Sequence, residues 1–305
     1  MTMNLRDVQY FAVVAEHRHL GRAAEALGLS QPALSMSLRR LERSMQTKLV
    51  KRTPKGVELT ASGDAVFAHA RRLRLSVEEI SREVMDLSRG QTGHLRIGAG
   101  TGFAFDLMPA ACEAMIRNAP KVTLKVVVLG RGDSLVDLRA GKFDLVISSI
   151  RPADGVDLAQ EHLYDDESVV YVSVKHRLAR RKQVTLADVA EERWALTTDD
   201  TPTWNRVHQV FEANGLPRPR VVLESTSLAL RLPLIAATDL IGYSSRPVVR
   251  RAAPHLRFAE LKLTELAYTR RVGVIFRKDA YLSPAAKRFI EILKSTAKEI
   301  IIKRP

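Results

Sequence analysis

The sequence predicts a small helical N-terminal domain with a β-hairpin wing, followed by a two-lobed α/β domain. Three observations support this fold class. Apolar residues recur at helical spacing in residues 1–60, a heptad pattern follows from 66 to 87, and strands alternate with helices from His94 onward. We therefore divide the 305 residues into a domain over 1–60, a linker helix over 61–90 and a domain over 91–305.

Composition excludes several classes of protein. Apolar residues make up 46% of the chain and charged residues 27%, which excludes a disordered polyelectrolyte. The longest apolar runs are too short to span a bilayer, and the first residues lack the apolar stretch of a signal peptide. The single cysteine, Cys112, excludes an intrachain disulfide framework and a cysteine-based zinc site. We therefore expect a soluble, cytoplasmic protein with no membrane contact.

The chain carries a net charge of +14 at pH 7, which attracts polyanions such as nucleic acid, a membrane surface or small acidic ligands. Residues 1–60 contain ten basic and five acidic residues, and residues 91–305 contain 33 basic and 24 acidic residues. The positive charge is therefore densest at the N-terminus. General solubility would explain such an excess equally well, so charge alone assigns no partner.

The N-terminal segment has the pattern of three short helices. Asn4 is typical of a helix N-cap, Gly28 of the left-handed residue that ends a second helix, and Ser30 of the cap of a third. The third helix has one apolar stripe, made of Leu34, Leu38, Leu41 and Met45. A helix, a short helix, a glycine-containing turn and a polar, basic helix together predict a helix-turn-helix.

The opposite face of the third helix is polar and basic, which suits the DNA major groove, where glutamine and arginine form paired hydrogen bonds with purine edges. Residues 49–59 have two short apolar ends around a turn, and they predict a two-stranded wing whose basic tip contacts phosphates or the minor groove. A helical bundle with a solvated basic face is the alternative. The predicted contacts with double-stranded DNA are Ser30, Gln31, Pro32, Ser35, Met36, Arg39, Arg40, Arg43, Arg52 and Lys55.

Several motifs of this segment occur together in one known family. They are Phe11-x-x-Val14-x-Glu16, Ala23-Ala24-x-x-Leu27, Leu29-Ser30-Gln31-Pro32-Ala33-Leu34-Ser35, Leu41-Glu42 and Leu59-Thr60-x-x-Gly63. In this order and spacing they resemble the N-terminal signature of LysR-type transcriptional regulators, which implies a winged helix-turn-helix DNA-binding domain over residues 1–60. Met36 departs from the pattern, since many members have arginine there.

Residues 61–90 predict one long helix, capped by Thr60, with a heptad seam. The seam residues are Val66, Ala70, Leu73, Val77, Ile80, Val84 and Leu87. A sustained heptad favours a helix pair over a lone amphipathic helix, although packing on its own domain is the alternative. Paired helix-turn-helix units require a dimer, and the resemblance implies dimerisation through this helix. We therefore predict a dimer that assembles into a homotetramer.

From His94 the pattern of alternating strands and helices predicts a mostly parallel sheet in an α/β domain. Crossovers near Asp165 and Arg270 would join two lobes, one over 91–163 and 270–305 and the other over 164–269, as a clamshell. The predicted strands cover 95–99, 122–129, 143–149, 169–174, 194–197, 221–224, 240–243 and 272–276. A last helix over 283–300 is expected to return to the first lobe.

Weaker motifs extend the resemblance over nearly the whole chain. They are Leu95-Arg96-Ile97-Gly98, Leu107-x-Pro109, Gly141-x-x-Asp144-Leu145-Val146-Ile147 and His176-x-Leu178-Ala179. They resemble the effector-binding domain of the same regulators, which implies the type 2 periplasmic-binding-protein architecture for residues 91–305. Arg177 stands where a proline is usual.

Ligands of such sheets bind at the carboxyl ends of the strands, which a clamshell brings together between its lobes. Arg131 is singled out because a guanidinium binds a carboxylate through two parallel hydrogen bonds, so we expect a small anionic effector. A solvent-facing Arg131, and helix-capping roles for Thr101, Ser225 and Thr226, are the alternatives. The predicted effector contacts are Thr101, Gly102, Phe103, Arg131, Ser148, Thr201, Trp204, Ser225, Thr226 and Tyr243.

The sequence contains no catalytic motif of the Gly-x-Ser-x-Gly, phosphate-loop or His-Glu-x-x-His type. His17 and His19 lie two residues apart and point to different faces of a helix, so no metal site is predicted. Cys112 shares an apolar helix face with Met108 and Met115, which favours core packing over redox sensing. No cofactor is expected beyond the small-molecule effector.

The predicted function is therefore a LysR-type transcriptional regulator, acting as activator, repressor or both. Its expected partners are double-stranded DNA, a small effector, further copies of itself and, for an activator, RNA polymerase. Two alternatives belong to other classes. One is a soluble binding protein without a regulatory role, and the other is an enzyme that uses the cleft.

Overall fold

The helices of the N-terminal unit begin at residues whose side chains cap them. The computed structural model describes residues 3–54, 56–89, 93–198 and 201–302, and it divides into two units, Met1–Leu87 and Ser88–Pro305. Asn4, Ser30 and Thr60 each accept a hydrogen bond from an amide of the following turn, which satisfies a donor that has no helical partner. The helices of the first unit are α1 (Leu5–His17), α2 (Leu20–Ala26), α3 (Gln31–Ser44) and α4 (Ala61–Arg89).

A two-stranded hairpin follows α3, as the sequence predicts. Its strands β1 (Val50–Thr53) and β2 (Gly56–Leu59) pair antiparallel. Gly56 has a φ of +133°, and a Cβ there would lie 2.3 Å from the carbonyl oxygen of Arg18. The amide of Val57 donates to that same oxygen at 2.8 Å. Glycine at position 56 therefore allows the hairpin to dock on the end of α1.

The helices of the first unit bury the apolar stripes that their periodicity predicts. Leu34 and Leu41 of α3 meet Phe11 of α1 in one core. The same core includes the first turns of α4, where Ala70 is buried and Val66 is partly buried. The prediction of Val66 and Ala70 as dimer contacts is therefore wrong, because the start of α4 packs on the helices of its own unit.

Farther along α4, the heptad seam is exposed. Val77, Ile80 and Val84 are 43%, 60% and 58% exposed. Leu73 is partly buried, and the side chain of Leu87 lies outside the described part of the structure. The second half of α4 thus carries an apolar stripe that faces solvent.

The second unit is built on one mixed sheet. Its strands are β3 (His94–Ala99), β4 (Thr123–Val128), β5 (Leu145–Ser149), β6 (Leu158–Ser173), β7 (Arg193–Leu196), β8 (Arg220–Glu224), β9 (Ile241–Ser245), β10 (Phe258–Leu261) and β11 (Tyr268–Arg277). The order across the sheet is β4-β3-β5-β11-β6-β9-β7-β8, and β10 pairs with β6. β3 is parallel to β4 and β5, and β7 is parallel to β8 and β9. β6 and β11 run antiparallel to their neighbours, so the sheet is less parallel than the sequence predicts.

β6 and β11 are longer than the sequence predicts. They pair with each other over their whole shared length, and polar residues such as Glu161 and Asp165 in β6 take part in the ladder. Runs of such polar residues are typical of loops, so the sequence pattern does not predict a strand in the first half of β6. The predicted crossovers near Asp165 and Arg270 fall inside these two strands, which are continuous there. The division into two lobes and its boundaries therefore stay a prediction.

The helices of the second unit cover both faces of the sheet's two halves. They are α5 (Thr101–Phe105), α6 (Leu107–Asn118), α7 (Arg131–Arg139), α8 (Leu186–Ala190), α9 (Pro202–Ala213), α10 (Leu228–Ala237), α11 (Arg246–Ala252) and α12 (Pro284–Ile302). Phe289 and Leu293 of α12 share a core with Met108 of α6, so the last helix returns to the first lobe as predicted. Cys112 is partly buried against this core, and its burial raises the pKa of its thiol.

The second lobe has its own core, in which Trp194 lies edge-on to Phe211 with ring centroids 5.8 Å apart. Tyr171 and Leu232 belong to a further cluster beneath α10. Each predicted lobe therefore has a packed interior of its own. In the described part of the chain, every helix is too short or too polar to cross a bilayer.

Candidate DNA interface and ligand cleft

The exposed face of α3 carries most of the residues that the sequence predicts for DNA contact. The exposed members of that set on α3 are Gln31, Pro32, Met36, Arg39, Arg40 and Arg43. Ser35 is half-buried, and the hydroxyl of Ser30 is occupied by the amide of Ala33 at 3.3 Å. Gln31 lies at the N-terminal end of the helix, where a recognition helix meets the bases. Contact with DNA remains a prediction for each of them.

Arg40 also forms an ion pair within the N-terminal unit, which the sequence pattern does not predict. Its guanidinium donates to both oxygens of Asp7, with Nη2 2.7 Å from Oδ1 and Nε 3.1 Å from Oδ2. Ser37 donates to the same carboxylate at 2.5 Å. Burial would raise the pKa of Asp7, but the hydrogen bonds from Arg40 and Ser37 outweigh it and hold this pKa below its usual value. Arg40 therefore ties α3 to α1, which corrects its assignment as a DNA contact alone.

The wing presents positive charge beside its turn. Lys51 and Arg52 are exposed on β1, and Arg52 lies opposite Val57 near the tip. Lys55 lies outside the described residues. Arg52 is thus exposed on a short, docked hairpin, and its contact with DNA phosphates stays a prediction.

A cavity of about 140 Å³ lies between the two lobes of the second unit. It forms where the carboxyl ends of β3, β5, β7 and β9 meet the N-terminal ends of α5, α9 and α10. Its lining residues are Gly100, Thr101, Gly102, Phe103, Leu129, Gly130, Ser148, Ser149, Thr197, Thr201, Thr203, Leu228, Arg231, Tyr243, Ser244, Ser245 and Arg270. Six predicted residues are thus brought together here: Thr101, Gly102, Phe103, Ser148, Thr201 and Tyr243.

Three predicted residues do not line the cavity. The hydroxyl of Ser225 accepts a hydrogen bond from the amide of Ser227, and Ser227, rather than Thr226, caps α10. Trp204 stacks on His208 with centroids 3.5 Å apart and packs against the core of its lobe. Ser225, Thr226 and Trp204 are thus not brought to this cavity, and their contact with an effector stays a prediction. The side chain of Arg131, at the start of α7, lies outside the described part of the structure.

Tyr243 lines the cavity with its ring rather than with its hydroxyl. Its Oη donates to the carbonyl oxygen of Leu266 at 2.7 Å. Burial raises the pKa of Tyr243 to about 12, so the phenol stays neutral. Tyr243 therefore shapes the cleft and offers no charge to a ligand.

One of the two cavity arginines is fully paired. Arg270 donates to Asp166 from Nε at 2.9 Å and from Nη2 at 2.7 Å, and its guanidinium lies 4.9 Å from the ring centroid of Phe103. Asp166 is completely buried and also accepts from Ser245 at 2.7 Å. The charge of Arg270 is therefore neutralised from behind the cavity wall.

The other described arginine of the cavity, Arg231, is not among the effector contacts that the sequence predicts. It lies in α10, which is otherwise apolar, and it is only 5% exposed. Among the described residues, its Nε and Nη1 have no hydrogen-bond partner. The signal was present in the sequence, because an arginine inside the run Leu228-Ala229-Leu230-Arg231-Leu232 has no amphipathic explanation.

A second cavity, of about 460 Å³, opens between α6, α11 and α12. Asp106 lines it and is 8% exposed, and its Oδ2 has no hydrogen-bond partner among the described residues. Burial raises the pKa of Asp106 to about 6, against the opposing effect of Arg251. The charged residues that line this cavity are Asp106, Glu167, Arg246, Arg250, Arg251 and Glu299. Because their charges balance, the lining favours no single ligand chemistry.

Comparison with known families decides the assignment. Residues 5–64 match the model for the bacterial regulatory helix-turn-helix protein of the lysR family, and residues 88–298 match the model for the LysR substrate binding domain. The chain belongs to the LysR family of transcriptional regulators. This LysR-family protein is 29% identical over 300 residues to the HTH-type transcriptional regulator GbpR of Azospirillum brasilense, a match that covers 97% of this chain and 87% of the relative. It is 31% identical over 293 residues to the SDS degradation transcriptional activation protein of a Pseudomonas species, with 93% of each chain covered.

Solved structures show the same fold. A full-length OxyR variant from Pseudomonas aeruginosa matches with a TM-score of 0.67 at 22% identity, over 98% of this chain and 95% of that one. Full-length CbnR in complex with its target DNA matches with a TM-score of 0.63 at 22% identity, over 96% of this chain and all of the other. The protein is thus a DNA-binding transcriptional regulator with an effector-binding domain, and it is not an enzyme.

Proposed function

We propose that this LysR-family regulator recognises promoter DNA through the exposed face of α3, with Gln31 and Ser35 reading bases. Arg39 and Arg43 lie farther along the same face, and Arg52 in the wing contacts the backbone or the minor groove. The support is their shared exposure on one short unit whose other face is buried. The full proposed contact set also includes Ser30, Pro32, Met36, Arg40 and Lys55.

The proposed active form is a dimer joined through α4, two of which form a homotetramer. Val77, Ile80 and Val84 support the dimer, because they repeat at heptad spacing and are exposed in the single chain. A stripe of branched apolar side chains on a helix of 29 residues is the surface that a second copy of the same helix would cover. Leu73 and Leu87 are the remaining proposed contacts of this seam.

The ligand of the cleft is proposed to be a small anion. The observation that carries this proposal is the charge of the lining, which contains Arg231 and Arg270 and, among the described lining residues, no acidic side chain. Thr101, Ser148 and Thr201 would supply hydroxyls from both lobes. A ligand that touches both lobes favours one arrangement of them, and it shifts the oligomer only by its difference in affinity for two arrangements.

The proposed location and the last proposed partner are those expected of a transcriptional regulator. The protein acts in the cytoplasm, where bacterial DNA is located, and it contacts RNA polymerase if it is an activator. The cleft is assigned an effector and no cofactor.

A gel-shift titration of the DNA upstream of its own gene tests the proposal. We expect a shifted complex at protein concentrations that leave a scrambled duplex of the same length and composition unbound. Gln31→Ala should reduce the difference in affinity between the promoter duplex and the scrambled duplex, because it removes a base contact and keeps the phosphate contacts. Equal binding of the two duplexes by the native protein would contradict sequence-specific recognition.

A further inference from the structure

Arg231 is a buried cation without an anion. It projects from α10 into the wall of the interlobe cavity, and it is 5% exposed. Neither its Nε nor its Nη1 has a hydrogen-bond partner among the described residues. Buried donors of a charged group are strongly unfavourable when they have no acceptor, and a ligand in the cavity could supply one.

Among the described residues, the surroundings of Arg231 do not supply that acceptor. The residues from other elements that share a core cluster with α10 include Val169, Ala195 and Val248, and these three are apolar. Burial lowers the pKa of Arg231, and only the nearby Tyr171 opposes this effect. The hydroxyl of Tyr171 is itself buried and has no partner in the described part of the chain. Arg231 and the nearby Tyr171 hydroxyl therefore both have polar atoms without a partner among the described residues.

Arg270, in the same cavity, has the partners that a buried guanidinium requires. Its guanidinium has a buried carboxylate, Asp166, on one side and the ring of Phe103 on the other. Nothing comparable faces Arg231 among the described residues. Among its described lining residues, the cleft thus combines one neutralised guanidinium with one that has no counter-ion.

We propose that Arg231 is the anion receptor of this cleft and that the effector is a small hydroxylated monocarboxylic acid. This inference rests on the proposed role of the cleft as the effector site. One uncompensated guanidinium balances one negative charge, and its planar donors match the two oxygens of a carboxylate. The hydroxyl-bearing lining residues that would surround the rest of the ligand are Thr101, Ser148, Thr197, Thr203 and Ser244.

The volume and lining of the cavity restrict the ligand further. A cavity of about 140 Å³ admits a small molecule, and its hydroxyl-rich wall favours a body that carries hydroxyl groups rather than an aromatic or alkyl one. A dianion would leave one charge without a partner in a desolvated site. The class is therefore the short hydroxy acids, from glycolate to gluconate.

Thermal unfolding of the full chain without ligand tests the first half of the proposal. Arg231→Met removes a buried charge and keeps most of the apolar stem, so we expect the Tm to rise by about 2–6 °C. Arg270→Met is the matched contrast, because it strands the buried Asp166 and should lower the Tm. A Tm of Arg231→Met that is unchanged or lower would overturn the proposal, because Arg231 would then have a counter-ion in the protein. Comparison with Asp199→Asn and Asp200→Asn would then test whether one of these aspartates is that counter-ion.

The second half is tested with glycolate, glycerate and gluconate as probes, each beside its neutral alcohol: ethylene glycol, glycerol and glucitol. At about a hundredfold excess over Kd, an acid of the right class should raise the Tm of the native chain by about 5–10 °C, and the alcohols should not. Arg231→Met should lose this rise, whereas Arg117→Met, which removes the same charge from the exposed end of α6, should keep it. No rise with any of the three acids, or an equal rise in Arg231→Met, would overturn the proposal.

Failure of the proposed function would look different. An acid that stabilises the native chain but not Arg231→Met, and that leaves promoter binding unchanged, would keep Arg231 as the anion receptor and remove the regulatory role of the cleft. Promoter binding that responds to a neutral compound alone would keep the regulatory role and overturn Arg231 as the receptor.

Discussion

Arg270 on β11 and Asp166 on β6 face each other in the strand register and form an ion pair, with Nη2 2.7 Å from Oδ2. Asp166 is completely buried and also accepts a hydrogen bond from Ser245. β6 and β11 are the strands that pass between the lobes, so this pair fixes the charge of the cavity wall at the point where the lobes join. The wall of the cavity therefore includes an arginine whose charge a buried aspartate neutralises.

Asp166→Asn should destabilise the effector-binding unit strongly. The change leaves Arg270 without its anion in a largely buried position, which costs about 3–5 kcal/mol. Urea unfolding followed by circular dichroism measures the loss. Asp165→Asn is the control, since Asp165 is exposed and pairs with His162 at the surface. Equal stability of the two variants would contradict the structural role of the Arg270–Asp166 pair.

Arg39 and Arg40 are adjacent in sequence but should behave differently. Arg40→Ala should lower the free energy of unfolding of the N-terminal unit, because the buried Asp7 loses its charged donor. Arg39→Ala should leave unfolding unchanged, weaken DNA binding and reduce the salt slope of binding by about one. Denaturation and salt-dependent binding isotherms on both variants decide the matter. A loss of stability in Arg39→Ala alone would reverse these assignments.

The Asp7–Arg40 pair also predicts an acid limit for this unit. The pKa of Asp7 is lower in the folded chain than in the unfolded chain. The stabilisation from its charged form is therefore complete above the ordinary pKa of an aspartate and is lost as pH falls through the lowered value. In Asp7→Asn, the acid-induced loss of stability should be smaller than in the native chain. Identical acid titrations of stability would show that Asp7 does not contribute.

Gln31 and Arg52 should separate base recognition from phosphate contact. Gln31→Ala should cost about 1–3 kcal/mol on the specific site and little on random DNA. Arg52→Ala should weaken binding to both DNAs alike and flatten the salt slope by about one. Binding isotherms at several salt concentrations on specific and scrambled duplexes distinguish the two. If Arg52→Ala changes neither affinity nor slope, the wing does not contact DNA.

The exposed stripe of α4 predicts the effect of a single charge on assembly. Ile80→Asp would bury an unpaired carboxylate in a helix pair, so the dimer should dissociate and lose DNA affinity. Ser81→Asp adds the same charge one residue away, off the apolar stripe, and should remain assembled. Sedimentation velocity compares them. Ile80→Asp that sediments like the native protein would mean that α4 does not join the copies.

Much of the fold is predicted by the sequence because local rules determine it. The caps at Asn4, Ser30 and Thr60, the stripe on α3 and the hairpin at 50–59 all depend on neighbours within a few residues. The first half of β6 was missed because its polar residues are satisfied by pairing with β11, more than a hundred residues later. Ladders of that kind leave no local pattern.

The site was predicted less completely, for the same physical reason. Strand ends locate Thr101, Ser148 and Tyr243 correctly in the cavity. The sequence does not indicate the structural role of Arg40 because its partner, Asp7, is 33 residues away. Arg231 was missed because a helix interior is not a strand end, and its meaning appears only when the lack of a partner is visible in three dimensions.

Asp106 provides a pH test of the second unit. Its pKa, raised by burial to about 6, is higher in the folded than in the unfolded chain, so its contribution to stability is lost as pH rises from about 4 to about 6. Asp106→Asn should therefore stabilise this unit by up to about 3 kcal/mol above pH 6 and by little near pH 4. The exposed Asp279→Asn is the control. A gain that does not vary with pH would show that Asp106 is not the group responsible.

Quantitative footprinting of the region upstream of the gene is the most direct test of sequence-specific DNA recognition by α3. The native protein should protect paired half-sites separated by about 10 base pairs or a multiple of that distance. Gln31→Ala should lose the protection of these half-sites at concentrations where Arg117→Met retains it. Uniform protection of the whole fragment, equal for the native protein and Gln31→Ala, would contradict the account.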